Sequence, residues 1–308
     1  MRRVAAVDCG TNSIRLLVAE LDTVAGTSRD LTRRMEIVRL GQGVDRTGHL
    51  DAGALERTLD ALREYRKLAA DLGAESVRMV ATSATRDADN RGDFVSGVRA
   101  ILGVDPEVIT GDEEARLSFL GATRELAGRD DVTRPYLVVD IGGGSTEFVI
   151  GGTGVMAGRS VNIGCVRLTE RHLTDDPPLP GQIEAATADI DAAIDTAAQT
   201  VPLLEAGTLI GLAGTVTTVA GIALDLPEYD PERIHHSRVT AARVHEISTR
   251  LLGMTHAERA AIKVMHPGRV DVIGAGSLIL DRIAARVGLD EVLVSEHDIL
   301  DGIAWSLT

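Results

Sequence analysis

Two short stretches of this sequence place an acid, a glycine and a serine at the same spacing. Residues 8–15 read D-C-G-T-N-S-I-R, and residues 140–147 read D-I-G-G-G-S-T-E. Asp, Gly and Ser coincide at the first, third and sixth positions, and the offset of 132 residues is about one domain. Each stretch lies between two apolar runs, so the pattern is a strand–turn–strand unit that occurs twice. The chemistry such turns suit is anion binding. Glycines let backbone amides converge on a small volume and allow close approach. Gly142, Gly143 and Gly144 meet that need, and Ser145 and Thr146 add hydroxyls. Gly10, Thr11, Asn12 and Ser13 form the similar first turn. A third turn, G-L-A-G-T-V-T-T at residues 211–218, puts Gly214 and Thr215 where a helix begins, with its N-terminal amides facing an anion. Asp8 and Asp140 at the strand ends are unfavourable beside a phosphate unless a cation intervenes. Both therefore point to Mg²⁺, usually held through water, with Glu147 as a further ligand or as the group that positions that water.

The elements that must hold these turns follow from the hydrophobic pattern. In the first half, strands are expected at residues 4–7, 14–21, 36–40, 77–81 and 108–109, with helices at 51–72, 93–102 and 112–126. Residues 128–135 form a polar connector ending in proline, after which the pattern restarts. Strands are expected there at 136–139, 146–150, 160–163, 208–212 and 291–294. Helices are expected at 167–173, 182–204, 216–224, 241–252, 256–262, 269–286 and 297–307. Strands mixed with helices in each half imply α/β layers. The division is 1–127 and 128–296, with the last helix, 297–308, packing back onto the first domain.

Totals exclude several classes. The net charge is −14, from 32 basic and 46 acidic residues, whereas a protein that coats nucleic acid or anionic membrane is normally basic. Aromatics are 2%, too few for base-stacking platforms. Cys9 and Cys165 are too few for a disulfide framework or a cysteine metal site. No apolar run approaches a membrane span and Asp8 interrupts any signal-peptide core, so a cytoplasmic protein without nucleic-acid or membrane partners is expected. A Walker A loop is absent, because neither Lys67 nor Lys263 follows glycine. The run Gly152-x-Gly154-x-x-Ala157 mimics a dinucleotide fingerprint but is followed by strand and loop, and reads as a hairpin.

The three turns and their order resemble the sugar kinase, heat-shock protein 70 and actin superfamily. Within it, G-D-E-E-A-R (111–116), D-I-G-G-G-S-T-E, G-C-V-R-L-T-E (164–170), A-G-T-V-T-T and Y-D-P-E-R-I-H (229–235) closely resemble the exopolyphosphatase and guanosine pentaphosphate phosphohydrolase family. The resemblance covers essentially the whole chain. It implies two actin-like (ribonuclease H-like) domains with a cleft between them, in the short form that lacks a C-terminal helical region. It implies Glu114 as the catalytic residue, Asp140 and Glu147 as metal-associated acids, and Asp8, Ser13 and Arg15 as parts of the first phosphate loop. Arg86, in A-T-S-A-T-R, matches a family arginine facing the cleft. The implied activity is Mg²⁺-dependent release of orthophosphate from polyphosphate ends, with a monovalent cation as a further candidate cofactor and a homodimer as the family's assembly. Guanosine pentaphosphate is the alternative substrate, and a nucleotide sensor without turnover is the alternative of another class.

The first helical turn carries Glu114, where the macrodipole stabilises a carboxylate and weakens it as a base. Phosphoanhydride hydrolysis passes through a loose transition state, so orienting water and neutralising charge matter more than basicity. Arg15, Arg86 and Arg116 are the planar cations available to clamp substrate oxygens.

Overall fold

The computed structural model describes all 308 residues, Met1–Thr308. The chain forms two units: Met1–Gly121 with Ile299–Thr308, and Ala122–Asp298.

The first unit contains, in chain order, β1 (Arg2–Cys9), β2 (Ser13–Asp22), β3 (Thr27–Ile37), α1 (Val44–Thr47), α2 (Ala52–Asp71), β4 (Ser76–Ala81), α3 (Ser83–Asp87), α4 (Arg91–Leu102), β5 (Glu107–Val108) and α5 (Gly111–Thr123). Its sheet runs β3-β2-β1-β4-β5. The first three strands are antiparallel neighbours, and β4 joins β1 in parallel. Alternate residues of β1 feed two cores, as the two-residue period of a strand requires. Ala5, Val7 and Cys9 face a cluster with Leu62 and Tyr65 of α2 and Phe94 and Val98 of α4. Val4 and Ala6 face a second cluster with Leu117 of α5 and the closing residues Ile299, Leu300, Ile303 and Trp305. Asp8 has the parity of Val4 and Ala6, so it belongs to that second face, at the C-terminal end of its strand. Helix α2 starts where Asp51 caps it, the carboxylate accepting from the Ala54 amide at 2.9 Å.

The second unit repeats the plan with β6 (Tyr136–Ile141), β7 (Thr146–Gly151), β8 (Val155–Val161), α6 (Cys165–His172), α7 (Pro180–Ala198), β9 (Thr208–Leu212), α8 (Ala213–Ala223), α9 (Pro231–Ile234), β10 (Arg238–Thr240), α10 (Ala241–Gly253), α11 (His256–Ala260), α12 (Ile273–Val287) and β11 (Glu291–Val294). Its sheet order is β10-β11-β9-β6-β7-β8. As in the first unit, a central strand has its hairpin partner on one side and a parallel strand, β9, on the other. Leu137, Val139 and Ile141 of β6 join Ile190 and Ile194 of α7 and Val216 and Val219 of α8 in one continuous core. The chain closes with α13 (Ile299–Trp305).

The third strand differs from expectation. It covers Thr27–Ile37, not 36–40. It is the edge of its sheet and mostly solvent-facing, with Arg29, Asp30, Arg33 and Arg34 along it. An edge strand guarded by charge has no apolar alternation to reveal it. The expected helix at 269–286 also begins later, at Ile273, after a 3₁₀ turn at Pro267–Arg269.

Candidate active site

The two hairpin turns are superimposable in their bonding. The Gly10 amide donates to the Ser13 carbonyl at 2.9 Å, and the Gly142 amide donates to the Ser145 carbonyl at 3.0 Å. Asp8 stands opposite Arg15 across β1 and β2, and Asp140 stands opposite Glu147 across β6 and β7. Directly paired residues share a face of the sheet, so these side chains are neighbours. The duplicated position thus carries a cation in the first unit and an anion in the second.

That difference sets the electrostatics. Arg15 reaches Asp8 Oδ2 with Nε at 3.0 Å and Nη2 at 2.7 Å. Asp8 therefore has a counter-ion from its own protein, contacted through Oδ2 alone. Asp140 and Glu147 are both buried, at 7% and 1% exposure, and lie side by side. Two adjacent buried carboxylates repel unless a cation lies near them, and hard oxygen donors suit a small divalent ion. The donor set fits such an ion, with Asp140 and Glu147 as the residues to hold it. The Ser160 hydroxyl donates to Glu147 Oε1 at 2.7 Å.

The glycine turn of the second unit is pressed against the start of α6. The Cys165 amide donates to the Gly142 carbonyl, the Val166 and Arg167 amides donate to Gly143, and Arg167 Nε donates to Gly144 at 2.7 Å. In a planar trans peptide the N–H points opposite to the C=O. With the carbonyls of Gly142, Gly143 and Gly144 turned toward α6, the amides of Gly143, Gly144 and Ser145 are turned away from it. That is an amide nest ready for an anion. Gly164 allows the approach, since a Cβ there would lie 2.4 Å from the Gly143 carbonyl carbon and oxygen. The Thr146 hydroxyl donates to the Ile163 carbonyl at 2.8 Å.

In the first turn, the Asn12 carbonyl accepts from Val38 and Arg39 and the Thr11 carbonyl accepts from Gly41, which turns the Asn12 amide the other way. The Thr11 hydroxyl bonds to Ser83 at 2.9 Å. Glu114, 8% exposed, lies in the first turn of α5. Arg86 donates from Nη1 to Glu114 Oε2 at 3.2 Å and to the Ile109 carbonyl at 2.9 Å. The structure thus joins two residues that the sequence singled out separately. The Gly111–Arg116 motif places Arg116 on the same helix.

The third turn carries a residue that sequence reasoning missed. Ala213 is left-handed, with φ 66°, at the entry to α8. A Cβ on Gly214 would lie 2.2 Å from the guanidinium carbon of Arg269, so the cation lies directly over that glycine. Arg269 also donates to the Thr218 hydroxyl at 3.1 Å. The only hint in the sequence was an arginine after H-P-G, which has no spacing relation to the turn. The Thr215 side chain packs inward against Gly276 and Cys165.

Away from these turns, Glu125, His235 and His297 bring their ligand atoms within 4.8 Å of one another. His235 Nδ1 accepts from the Glu296 amide at 3.1 Å, so in the neutral ring Nε2 carries the hydrogen and donates to Glu125. The two histidines hold the Glu125 carboxyl well below the usual carboxylate range.

Comparison with known proteins bears on these features together. The model of the Ppx/GppA phosphatase family matches residues 17–307. The chain belongs to the Ppx/GppA phosphatase family. It is 49% identical over 318 residues to Exopolyphosphatase 2 of Mycobacterium tuberculosis (strain ATCC 25618 / H37Rv), spanning 100% of this chain and 99% of that protein. It is 29% identical to a guanosine-5'-triphosphate,3'-diphosphate pyrophosphatase of Aeromonas hydrophila, over 98% of this chain and 59% of that one. Among solved structures, an exopolyphosphatase-like protein matches with TM-score 0.95 and 46% identity over 99% of this chain and 98% of its own. The Ppx/GppA enzyme of Aquifex aeolicus matches with TM-score 0.82 and 31% identity over 99% of each chain. The fold class expected from the sequence, α/β with two actin-like units, is that of the Ppx/GppA family. No helix is long and apolar enough to cross a membrane.

Proposed function

We propose that this chain is an exopolyphosphatase, hydrolysing the terminal phosphoanhydride of inorganic polyphosphate and releasing orthophosphate. The observation that carries the reading is the end-to-end match to Exopolyphosphatase 2. The nest at Gly143, Gly144 and Ser145 and the Arg86–Glu114 pair supply the parts such a reaction needs.

In this reading a water oxygen attacks the terminal phosphorus while the bridging P–O bond breaks and its electron pair leaves with the shortened chain. Glu114 orients the water and takes its proton as the bond forms, then returns it to the released phosphate. Arg86 keeps the carboxylate turned to that task. The turn amides, Arg15 and Arg269 hold substrate oxygens and offset their charge, which is where most of the acceleration of a loose transition state arises. Mg²⁺ bound at Asp140 and Glu147 would neutralise the terminal phosphate oxygens. Proton transfer to Glu114 comes late, as a loose transition state allows.

Guanosine pentaphosphate offers the same terminal anhydride and is the second reading, favoured by the match to the Aeromonas hydrophila protein. The test is orthophosphate release from short polyphosphate, long polyphosphate and guanosine pentaphosphate with Mg²⁺ present. Faster release from polyphosphate is expected. Release from guanosine pentaphosphate alone would move the assignment to the second reading, and Mg²⁺-dependent release from none of them would sink both.

A further inference from the structure

The two hairpins differ at one more aligned position. In the first unit Arg15 of β2 is paired with Met35 of β3, and in the second unit Glu147 of β7 is paired with Ser160 of β8. Where the central strand's neighbour carries a cation, the third strand offers a thioether. Where it carries a carboxylate, the third strand offers a hydroxyl. The hydroxyl is used: Ser160 Oγ lies 2.7 Å from Glu147 Oε1 as a donor to it.

We propose that Ser160 is a positioning residue for Glu147, fixing one carboxylate oxygen so that the group is presented to a divalent cation in one orientation. This rests on the reading of Glu147 as a metal-associated acid. Glu147 is almost fully buried on the strand next to the edge, whereas Ser160 is on the edge strand itself and partly open. A serine hydroxyl has one proton, and donating it to Oε1 leaves that oxygen with less charge to share and the carboxylate plane fixed. Outer partners of metal-binding carboxylates act in this way, and their loss typically costs 10–100-fold in metal affinity or activity.

The surroundings of Ser160 make the idea testable without breaking the fold. Ser160 forms part of the wall of a cavity of about 380 Å³, with Arg159, Asn162, Arg171 and Asp189 among its other lining residues. Arg171 is paired with Asp189 at 2.7 Å, so that part of the wall is already neutralised. An extra methyl at residue 160 has room on this side, and β-branched side chains suit a strand. Thr and Val at this position are nearly isosteric and differ in the hydroxyl alone.

The experiment titrates Mg²⁺ alone into the intact protein by calorimetry, for wild type, Ser160→Thr, Ser160→Val, Ser160→Ala and Glu147→Gln, with steady-state kinetics alongside. Mg²⁺ affinity is expected to fall about 10–100-fold in the Val and Ala variants and to stay within about threefold of wild type in the Thr variant. The Mg²⁺ dependence of turnover should shift by the same factor, while melting temperatures of the Thr and Val variants agree. Equal affinity in the Thr and Val variants would overturn the proposal, whichever level they share. Unchanged affinity in Glu147→Gln would instead sink the assignment of Glu147 to the metal. Loss in Glu147→Gln with none in Ser160→Val leaves that assignment standing and removes Ser160 from it.

Discussion

Replacing Gly164 by alanine should damage the reaction far more than the fold. Gly164 precedes α6 with φ −160° and ψ 162°, an extended conformation open to any residue, so the substitution carries no backbone penalty of its own. The obstacle is contact. The new methyl would sit 2.4 Å from the Gly143 carbonyl carbon and oxygen and 2.6 Å from the Gly144 nitrogen, all backbone atoms that cannot rotate aside. Carbon atoms rest at about 3.5 Å, so the glycine turn and α6 must separate by about 1 Å. Overpacking of this size costs about 1–3 kcal/mol, or roughly 2–12 °C in melting temperature for units of this size. A shift of about 1 Å in a positioning group can cost on the order of 10² in rate. Phosphate release from polyphosphate should therefore fall about 100-fold in kcat/KM while the protein still melts cooperatively. Gly181→Ala, in the first turn of α7 with nothing within 4 Å of the new methyl, is the control and should be neutral or slightly stabilising. Retention of kcat/KM within about threefold in Gly164→Ala would refute the reasoning, and a lowered melting point with full activity would show that the turn does not position substrate.

Other consequences follow from named contacts. Arg86→Ala removes the guanidinium that Glu114 Oε2 accepts from, and a charge-assisted bond of about 1.5–3 kcal/mol corresponds to a fall in kcat of roughly 10–100-fold, read from steady-state phosphate release. Gly214→Ala and Arg269→Ala should each raise KM about tenfold or more, and the double variant should be no worse than the single ones, because the alanine methyl acts by displacing the same guanidinium. Glu125 has its carboxyl held below its ordinary value of 4.5 by His235 and His297. A depressed carboxylate stabilises the fold above its unfolded value, and that contribution is lost as pH falls through the folded value. The melting-point gap between wild type and Glu125→Gln should thus be present at pH 6 and shrink steadily as pH falls below about 4.5.

The site was legible in the sequence where backbone conformation dictates residue type. Asp8 and Asp140, and the glycines that follow them, recur at fixed spacing because the turn tolerates little else. Their pairing across strands was not legible, since register depends on the whole sheet, and so the Asp8–Arg15 ion pair and the Ser160–Glu147 bond appear only in three dimensions. The inward packing of the Thr146 and Thr215 side chains was likewise not legible. Arg269 lies 55 residues beyond the glycine it covers, a distance across which no local pattern speaks. The bounds of strand β3 were not legible because its charged edge hides the alternation that marks a half-buried strand.

The central claim is that Glu114 handles the attacking water. Its most direct test is the steady-state rate of orthophosphate release from polyphosphate by Glu114→Gln at saturating substrate and Mg²⁺. The substitution preserves size and removes the charge. A fall in kcat of about 10²–10⁴ with little change in KM is the predicted result. Turnover within a few-fold of wild type would contradict it and move the water-activating role to another residue.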